Sequence, residues 1–294
     1  MRPRISVVVN TLNEEKNLPY ALRSVRSWVD EIVVVDMCSQ DRTVAIAREY
    51  GAKVYSHEPM GFVEPARAFA VAQAGGDWIL MLDADELVPF PLSRRLREIA
   101  EGDGADVVQI HWLNYLLGAP AWYTGWGPHQ DMHMRFFKPG FVEAGSAIHD
   151  SLRSVGGARV LDIPYQPGLA IIHFSCRDIA DLLERMNRYT TIEAQQARES
   201  GEEPGPWKAV LRACKEFARR YVRLRGYRDV WRGFYLSLFM AFYRITTVSK
   251  ITELRRVGPR AAVEDVYRRE AERLLTFYES VDVHSSTDTP VAER

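Results

Sequence analysis

The sequence predicts an α/β protein: a mostly parallel sheet flanked by helices, with a helical extension at its C-terminal end. Three observations carry that expectation. Short β-branched runs at residues 5–9 and 32–35 alternate with segments of helical spacing, the mark of successive β-α units. Residues 78–82, Trp-Ile-Leu-Met-Leu, form a nearly continuous apolar run of strand length, as in strands buried on both faces. From Asp178 onward the chain reads as helix.

The first strand, 5–9, runs into Asn10-Thr11-Leu12-Asn13-Glu14-Glu15, a polar corner rich in turn and cap residues. Leu18, Leu22, Val25 and Trp28 then recur at helical spacing. The second strand, 32–35, ends in Asp36, and Ser39, Asp41 and Thr43 offer caps for a helix over 44–50. Gly51 suits the stop of that helix, followed by a third strand at 52–56. A short helix over 65–74, closed by Gly75 and Gly76, delivers the chain to the apolar run at 78–82. Beyond Asp85 the pattern loosens, with strands expected at 106–112, 132–138 and 170–175. Residues 115–128 are rich in Trp, Tyr, Gly and Pro. That composition suits a loop stacking on a sugar or base, and equally an aromatic-packed loop. Residues 201–206 break the helical part, a second helical region spans 207–256, and the polar stretch 281–294 is expected to be disordered. The expected organisation is therefore an α/β unit at 1–177, a helical extension at 178–280 and a tail at 281–294.

Composition is ordinary for a globular protein, 47% apolar and 26% charged, and a net charge of −1 excludes little. Its distribution says more. Between Gly205 and Arg260 stand fourteen Lys and Arg against three Asp and Glu, a basic module suited to an anionic surface. Cys38, Cys176 and Cys214 lie far apart and form no metal-binding pair, which fits a reducing compartment. The apolar run at 7–9 is too short for a signal peptide. No uninterrupted apolar stretch reaches the roughly 18 residues of a spanning helix. A cytoplasmic location is expected.

The run at 78–82 ends abruptly in Asp83, Asp85 and Glu86. Side chains alternate along a strand, so Asp83 and Asp85 are expected to point the same way at its carboxyl end. Open α/β sheets bind ligands there, and two close carboxylates favour a hard divalent cation. The plainer reading is an acidic turn leading to the helix after Pro89.

Three segments, taken together, resemble family 2 glycosyltransferases. They are Ile5-Ser-Val-Val-Val-Asn-Thr-Leu-Asn-Glu-Glu-Lys-Asn-Leu, Ile32-Val-Val-Val-Asp-Met-Cys-Ser-Gln-Asp-Arg-Thr, and Trp78-Ile-Leu-Met-Leu-Asp-Ala-Asp-Glu. More narrowly, they are similar to bacterial enzymes that build lipopolysaccharide core or other cell-surface glycans. The likeness is dense over residues 4–90 and looser over 130–175. It implies the GT-A fold, a Rossmann-like nucleotide-diphosphate-sugar transferase domain. It also implies an inverting, metal-dependent transfer of a hexose, from a UDP-sugar or similar donor, to a hydroxyl of a glycan that can be lipid-linked. The cofactor would be Mg²⁺ or Mn²⁺.

On that resemblance, Thr11, Asn13 and Glu14 line the nucleotide pocket, Asp36 accepts from the base, and Arg67 lies near the nucleotide and diphosphate. Asn13 and Arg67 suit a capping residue and a surface ion pair equally well. Asp85 would hold the metal, Asp83 would face ribose or metal, and His173 would supply a late metal ligand or else be a core histidine. An Arg-containing strand, here Met134-Arg135-Phe-Phe, is followed in the family by a Glu-Asp pair whose Asp is the catalytic base. Asp150 matches that Asp, while His149 stands where Glu is usual and could itself titrate near neutral pH.

Other classes fit less well. His129-Gln-Asp-Met-His133 has zinc-hydrolase spacing, but Gln130 replaces the catalytic Glu and the surroundings read as loop into strand. Asp131 and His133 are expected instead to edge the acceptor cleft. A nicotinamide dehydrogenase needs a glycine fingerprint after the first strand, and residues 10–17 contain no glycine. A phosphatase with an aspartyl nucleophile would need a downstream pattern that is not evident. An inactive sugar- or nucleotide-binding scaffold on the same fold, or transfer to a peptide or protein acceptor, are the remaining alternatives. The basic helices suggest an amphipathic contact with an anionic membrane surface over 205–260. A homodimer interface or a buried packing helix competes with that reading. Nucleic acid is not expected, since no recognition motif accompanies the charge.

Overall fold

The computed structural model describes residues 1–58, 64–143, 152–200 and 205–280 of the chain. Strand β1 (Ile5–Thr11) is buried along its whole length. It is flanked in parallel by β2 (Glu31–Asp36) and β4 (Trp78–Asp83), with β3 (Lys53–Ser56) outside β2. Helices cover both faces, which is why these strands read as continuous apolar runs. Helix α1 (Leu18–Val25) buries Leu18, Ala21, Leu22 and Val25, the i, i+3, i+4, i+7 face of an amphipathic helix. Together with α2 (Thr43–Glu49) and α4 (Phe90–Glu101) it packs on the side of Val7, Val9 and Leu80. Helix α3 (Glu64–Gln73) places Ala66 and Ala70 against Val8, Ile79 and Met81 on the opposite side.

The second half of the sheet is where the loosened pattern resolves. It contains β6 (Val107–Leu116), β7 (Ala119–Pro120), β8 (Met132–Phe137), β11 (Val160–Asp162) and β12 (Ile171–Cys176). A separate hairpin pairs β9 (Val142–Glu143) with β10 (Arg153–Ser154). Strand β8 runs antiparallel between β4 and β6, whereas β12 is parallel to β6. The two-residue strand β5 (Glu86–Leu87) pairs antiparallel with β12, Glu86 opposite His173. The sheet order is β3-β2-β1-β4-β8-β6-β12-β5. Since only Ala84 and Asp85 separate β4 from β5, the sheet curls back on itself, with β8, β6 and β12 between two segments that are almost continuous in sequence. The strand after Trp78 thus ends at Asp83, and the alternation expected to carry both aspartates on one face does not continue to Asp85.

Helix α5 (Ile179–Ser200) and α6 (Pro206–Ala218) lead into a π-helical turn (Arg219–Arg223) and a 3₁₀ turn (Gly226–Asp229). Helices α7 (Val230–Arg256) and α8 (Arg260–Ser280) follow. The helical region expected at 207–256 is therefore interrupted: Arg225 adopts a left-handed φ of 57° ahead of Gly226. Gly233 is required there, since a Cβ would lie 1.8 Å from the Gly226 carbonyl oxygen. Leu182, Met186, Leu236 and Tyr243 from these helices share a buried cluster with Leu116, Ala121 and Cys176 at the ends of β6 and β12. Among the described residues, no helix is long and apolar enough to cross a membrane.

Candidate active site

Two polar clusters form at the carboxyl edge of the parallel strands. The first joins the loops after β1 and β2. Thr11, fully buried, donates from Oγ1 to Asp36 Oδ1 at 3.1 Å, and the two residues are paired in register. Asp36 also accepts from the Ser39 backbone N–H at 2.9 Å and from Ser39 Oγ at 2.5 Å. Asn13, at a left-handed φ of 57°, receives the Gln40 N–H on Oδ1 at 2.8 Å, while its own N–H donates to Ser39 Oγ. Short polar side chains tolerate that conformation, so Asn13 serves as a clamp between the loops. Glu14 donates its N–H to Thr43 Oγ1 at 2.8 Å, and its carboxylate accepts from Asn17 Nδ2 at 2.8 Å. Burial raises the Glu14 pKa, and the charge of nearby Asp85 adds to that. Asp41 accepts from the Thr43 and Glu15 N–H groups, whereas the residue that caps α2 is Arg42, with no side-chain cap bond. Beside this cluster the Asn10 amide is buried, and neither its nitrogen nor its oxygen has a hydrogen-bond partner among the described residues.

The second cluster lies where the sheet curls. Arg67, from α3, donates Nη2 to both oxygens of Asp83, at 3.1 and 3.0 Å. Arg135, from β8, donates Nη2 to Asp83 Oδ2 at 3.0 Å and to Glu86 Oε1 at 3.1 Å. Glu86 Oε2 accepts the Asp83 backbone N–H at 2.8 Å, so the carboxylate ties the turn across Ala84 and Asp85. The Arg135 guanidinium also lies over the Trp112 ring, 4.5 Å from its centroid. Burial opposes ionisation of Asp83, but Arg67 and Arg135 overcome it and hold its pKa far below the usual carboxylate range. Glu86 goes the other way: burial, then the charge of Asp83, raise its pKa above the ordinary value. Both Asp83 oxygens are thus taken up by guanidiniums. The resemblance implied that Asp83 faces ribose or metal, and the side chains its carboxylate meets among the described residues are those of Arg67 and Arg135. Among the described residues no three His, Cys, Asp or Glu side chains converge as a metal-holding group.

Asp85 instead faces His173, its Oδ2 lying 3.5 Å from Nε2. Burial alone would lower the His173 pKa, and Asp85 reverses this and raises it. On its other side, His173 Nδ1 lies 2.6 Å from Asn114 Oδ1. Asn114 Nδ2 donates to Asp131 Oδ2 at 2.7 Å and to the Trp126 carbonyl at 2.9 Å. Asp131 Oδ1 pairs with His133 Nε2 at 2.7 Å. The Trp112 ring lies between the two imidazoles, 3.9 Å from His133 and 4.7 Å from His173. Asp131 and His133 therefore belong to the network behind His173. His129 packs on Tyr165 instead, and the intervening chain is turn and strand, which leaves no helical zinc pair.

The aromatic stretch 115–128 is fastened to the helical extension. Asp229 accepts the N–H groups of Trp122 and Tyr123, and buried Arg220 donates to the Thr124 carbonyl while lying over Trp126. Glu216 holds Arg220 from α6 at 2.6 Å. His149 and Asp150, the expected base residues, lie outside the described residues. Glu86, Asn114 and the role of Arg135 were not anticipated as parts of one cluster. The available signal was an Arg before Phe136-Phe137 and an Asn near the end of a strand, where unpaired buried polar groups are costly.

Residues 6–154, half of the chain, match the family model for glycosyl transferase family 2. The chain belongs to this family. As a family 2 glycosyltransferase it adopts the GT-A fold, with the nucleotide-sugar transferase sheet followed by C-terminal helices. It is 27% identical over 278 residues to an uncharacterized glycosyltransferase of Rickettsia typhi, covering 90% of this chain and 92% of that protein. Over 271 residues it is 27% identical to the lipopolysaccharide core biosynthesis glycosyltransferase LpsC of Rhizobium meliloti, covering 89% and 96%. It also overlaps glucosyl-3-phosphoglycerate synthase of Mycobacterium tuberculosis, solved with Mn²⁺, UDP and phosphoglyceric acid, at 28% identity. That overlap covers 37% of this glycosyltransferase and 43% of the other chain with a TM-score of 0.32, too low to bear on ligands here. A nucleotide-sugar donor fits the family, and a glycan acceptor fits the lipopolysaccharide core relative.

Proposed function

We propose that this enzyme transfers a hexose from a nucleotide-diphosphate sugar, with UDP as the favoured nucleotide, to a hydroxyl of a cell-surface glycan. The reaction would invert the anomeric centre and depend on a divalent cation. The observation that carries this reading is the Asp85–His173 pair, a carboxylate and an imidazole nitrogen 3.5 Å apart, beside the Asp83–Arg67–Arg135 cluster. Carboxylate oxygen with one imidazole is a donor set suited to Mn²⁺ or Mg²⁺, and diphosphate oxygens would complete the shell. A cation held by Asp85 and His173 would stabilise the charge of the departing diphosphate. Asp83, already oriented by two guanidiniums, is assigned to the ribose, and Arg67 to the diphosphate side of the pocket. Thr11, Asn13, Glu14 and Asp36 form the nucleotide wall, with Asp36 turned toward the base. Asp150 is assigned as the base that takes the acceptor proton during attack.

The glycan assignment draws on the name of the Rhizobium meliloti relative. Placement at the cytoplasmic face of a membrane, where a lipid-linked acceptor would be presented, draws on a surface of the helical extension. Phe217 stacks on Tyr221, Tyr221 meets Phe234, and Phe234 meets Tyr235, with centroids 5.3, 5.7 and 5.5 Å apart. Trp231, Tyr235, Leu238 and Phe242 are exposed at helical spacing along α7, with Arg223, Arg225 and Arg228 exposed nearby. Aromatic rings interleaved with arginines suit the interface of an anionic bilayer.

A donor panel tests the catalytic reading. Binding and slow hydrolysis of nucleotide sugars are scored with Mn²⁺ and with chelator, for the wild type and Asp85→Ala. Metal-dependent turnover of at least one donor is expected, reduced more than about 100-fold by the substitution with the fold intact. Near-wild-type turnover in Asp85→Ala, or indifference to chelator, overturns the cation assignment.

A further inference from the structure

The buried amide of Asn114 decides which nitrogen His173 offers to Asp85. A carboxylate and a main-chain carbonyl can only accept hydrogen bonds, so Asp131 Oδ2 and the Trp126 carbonyl both require the NH₂ end of Asn114. That leaves Oδ1 to face His173 Nδ1 at 2.6 Å, and an amide oxygen can only accept. The hydrogen must therefore sit on Nδ1. Nε2, the nitrogen facing Asp85, is then the one with a free electron pair whenever the imidazole is neutral. The amide cannot flip without setting its NH₂ against Nδ1–H and its oxygen against two acceptors. Asn114 is 1% exposed, so water offers no alternative partners.

The ring is also fixed in orientation. Trp112 lies 4.7 Å from it, and register pairs Asn114 of β6 with His173 of β12. Asp131, which anchors the amide, is itself held by His133 Nε2 at 2.7 Å.

We propose that Asn114 is a positioning residue that, braced by Asp131, locks His173 in the Nδ1–H tautomer and aims Nε2 at a divalent cation shared with Asp85. This rests on the reading of Asp85 and His173 as the cation's protein ligands. Outer-shell partners of this kind typically contribute about 10–100-fold to metal affinity by fixing tautomer and ring orientation.

Two measurements on the full chain test it. The first needs no substitution at Asn114. Long-range ¹H–¹⁵N spectra of histidine-labelled protein in mildly alkaline buffer report the tautomer of each imidazole, and the His173 signal is assigned by its loss in His173→Gln. The Nδ1–H tautomer is expected; the Nε2–H tautomer overturns the proposal. The second follows Mn²⁺ binding by electron paramagnetic resonance in the presence of UDP. Asn114→Leu, shown to be folded by circular dichroism, is expected to bind Mn²⁺ about 10–100-fold more weakly and to lose the Nδ1–H signature. Affinity within about twofold of wild type in that folded variant overturns the proposal. A wild-type protein that binds no Mn²⁺ overturns the cation reading itself, and the tautomer spectrum still decides the role of Asn114.

Discussion

Arg135 and Glu86 meet at 3.1 Å inside the curl of the sheet, and both side chains are almost completely buried. Their strands are brought together by topology, since β8 is inserted between β4 and β6. The same Nη2 also binds Asp83, so one guanidinium neutralises two carboxylates. Removing it leaves buried negative charge without its counterion. Arg135→Met is expected to lower stability by about 3–5 kcal/mol, the usual cost of breaking a buried pair from one side. Arg135→Lys should recover only part, because an ammonium lacks the planar fork and the stacking over Trp112. Urea denaturation of the three proteins measures this. Wild-type stability in Arg135→Met would show that the carboxylates are neutralised elsewhere.

The strand ends bearing Asp36 and Asp83 were legible because each apolar run stops abruptly at an acid. Asn13 and Asp41 read as cap residues in the sequence, but each side chain instead bonds the facing loop, at the Gln40 and Glu15 N–H groups. What failed was the step from Asp83 to Asp85. Alternation predicts a shared face only while the strand continues, and here a turn across Ala84 and Asp85, tied by Glu86, intervenes. Nor could local pattern reveal that Arg135, Asn114 and His173 share one site. Their meeting depends on an antiparallel insertion and a two-residue strand, both non-local pairings that no residue periodicity encodes. The break at Arg225 and Gly226 was likewise missed, although Gly226 and the Tyr, Asp and Val residues beside it are poor helix formers. Gly233, set against the Gly226 carbonyl, becomes informative only once the chain has turned.

Glu86 and Asp83 impose opposite pH dependences. The Glu86 pKa is raised in the fold, so its contribution is fully present below the unfolded carboxyl pKa and is lost as pH rises through the folded value. Asp83 is lowered, so its contribution is present above the unfolded pKa and lost as pH falls toward the folded value. Glu86→Gln removes the first titration and leaves the second. The stability of Glu86→Gln relative to wild type is therefore expected to rise as pH is taken from mildly acidic to mildly alkaline. Urea midpoints across that range provide the measurement. A difference independent of pH would mean that Glu86 ionises equally in both states.

The base assignment divides two neighbouring residues. Asp150 and His149 lie outside the described residues, so kinetics must separate them. A general base typically contributes about 10²–10⁴-fold. Asp150→Asn is expected to reduce transfer by that factor while donor binding, followed by calorimetry, is retained. His149→Gln should cost less than about tenfold and leave the pH–rate profile in place. If instead His149→Gln carries the large loss and removes the acidic limb of the profile, the base is His149.

The aromatic face of α7 leads to the final prediction. Trp231 and Tyr235 are about half exposed, and Arg232 lies over the Trp231 ring with 5.5 Å to its centroid. Rings of this kind are amphipathic and settle at the level of lipid headgroups, while each basic side chain near an anionic surface adds roughly 1 kcal/mol. Co-sedimentation with vesicles containing anionic lipid is expected at low salt and should weaken as salt is raised, since the screening length shortens. Neutral vesicles should bind less. Trp231→Ala combined with Tyr235→Ala removes exposed rings outside the buried cluster around Leu236 and Tyr243, so donor hydrolysis should persist while vesicle binding falls. Undiminished binding by the double variant would move the contact to another surface. No binding by the wild type to anionic vesicles at low salt would remove the membrane from the proposal and leave this face to a protein partner.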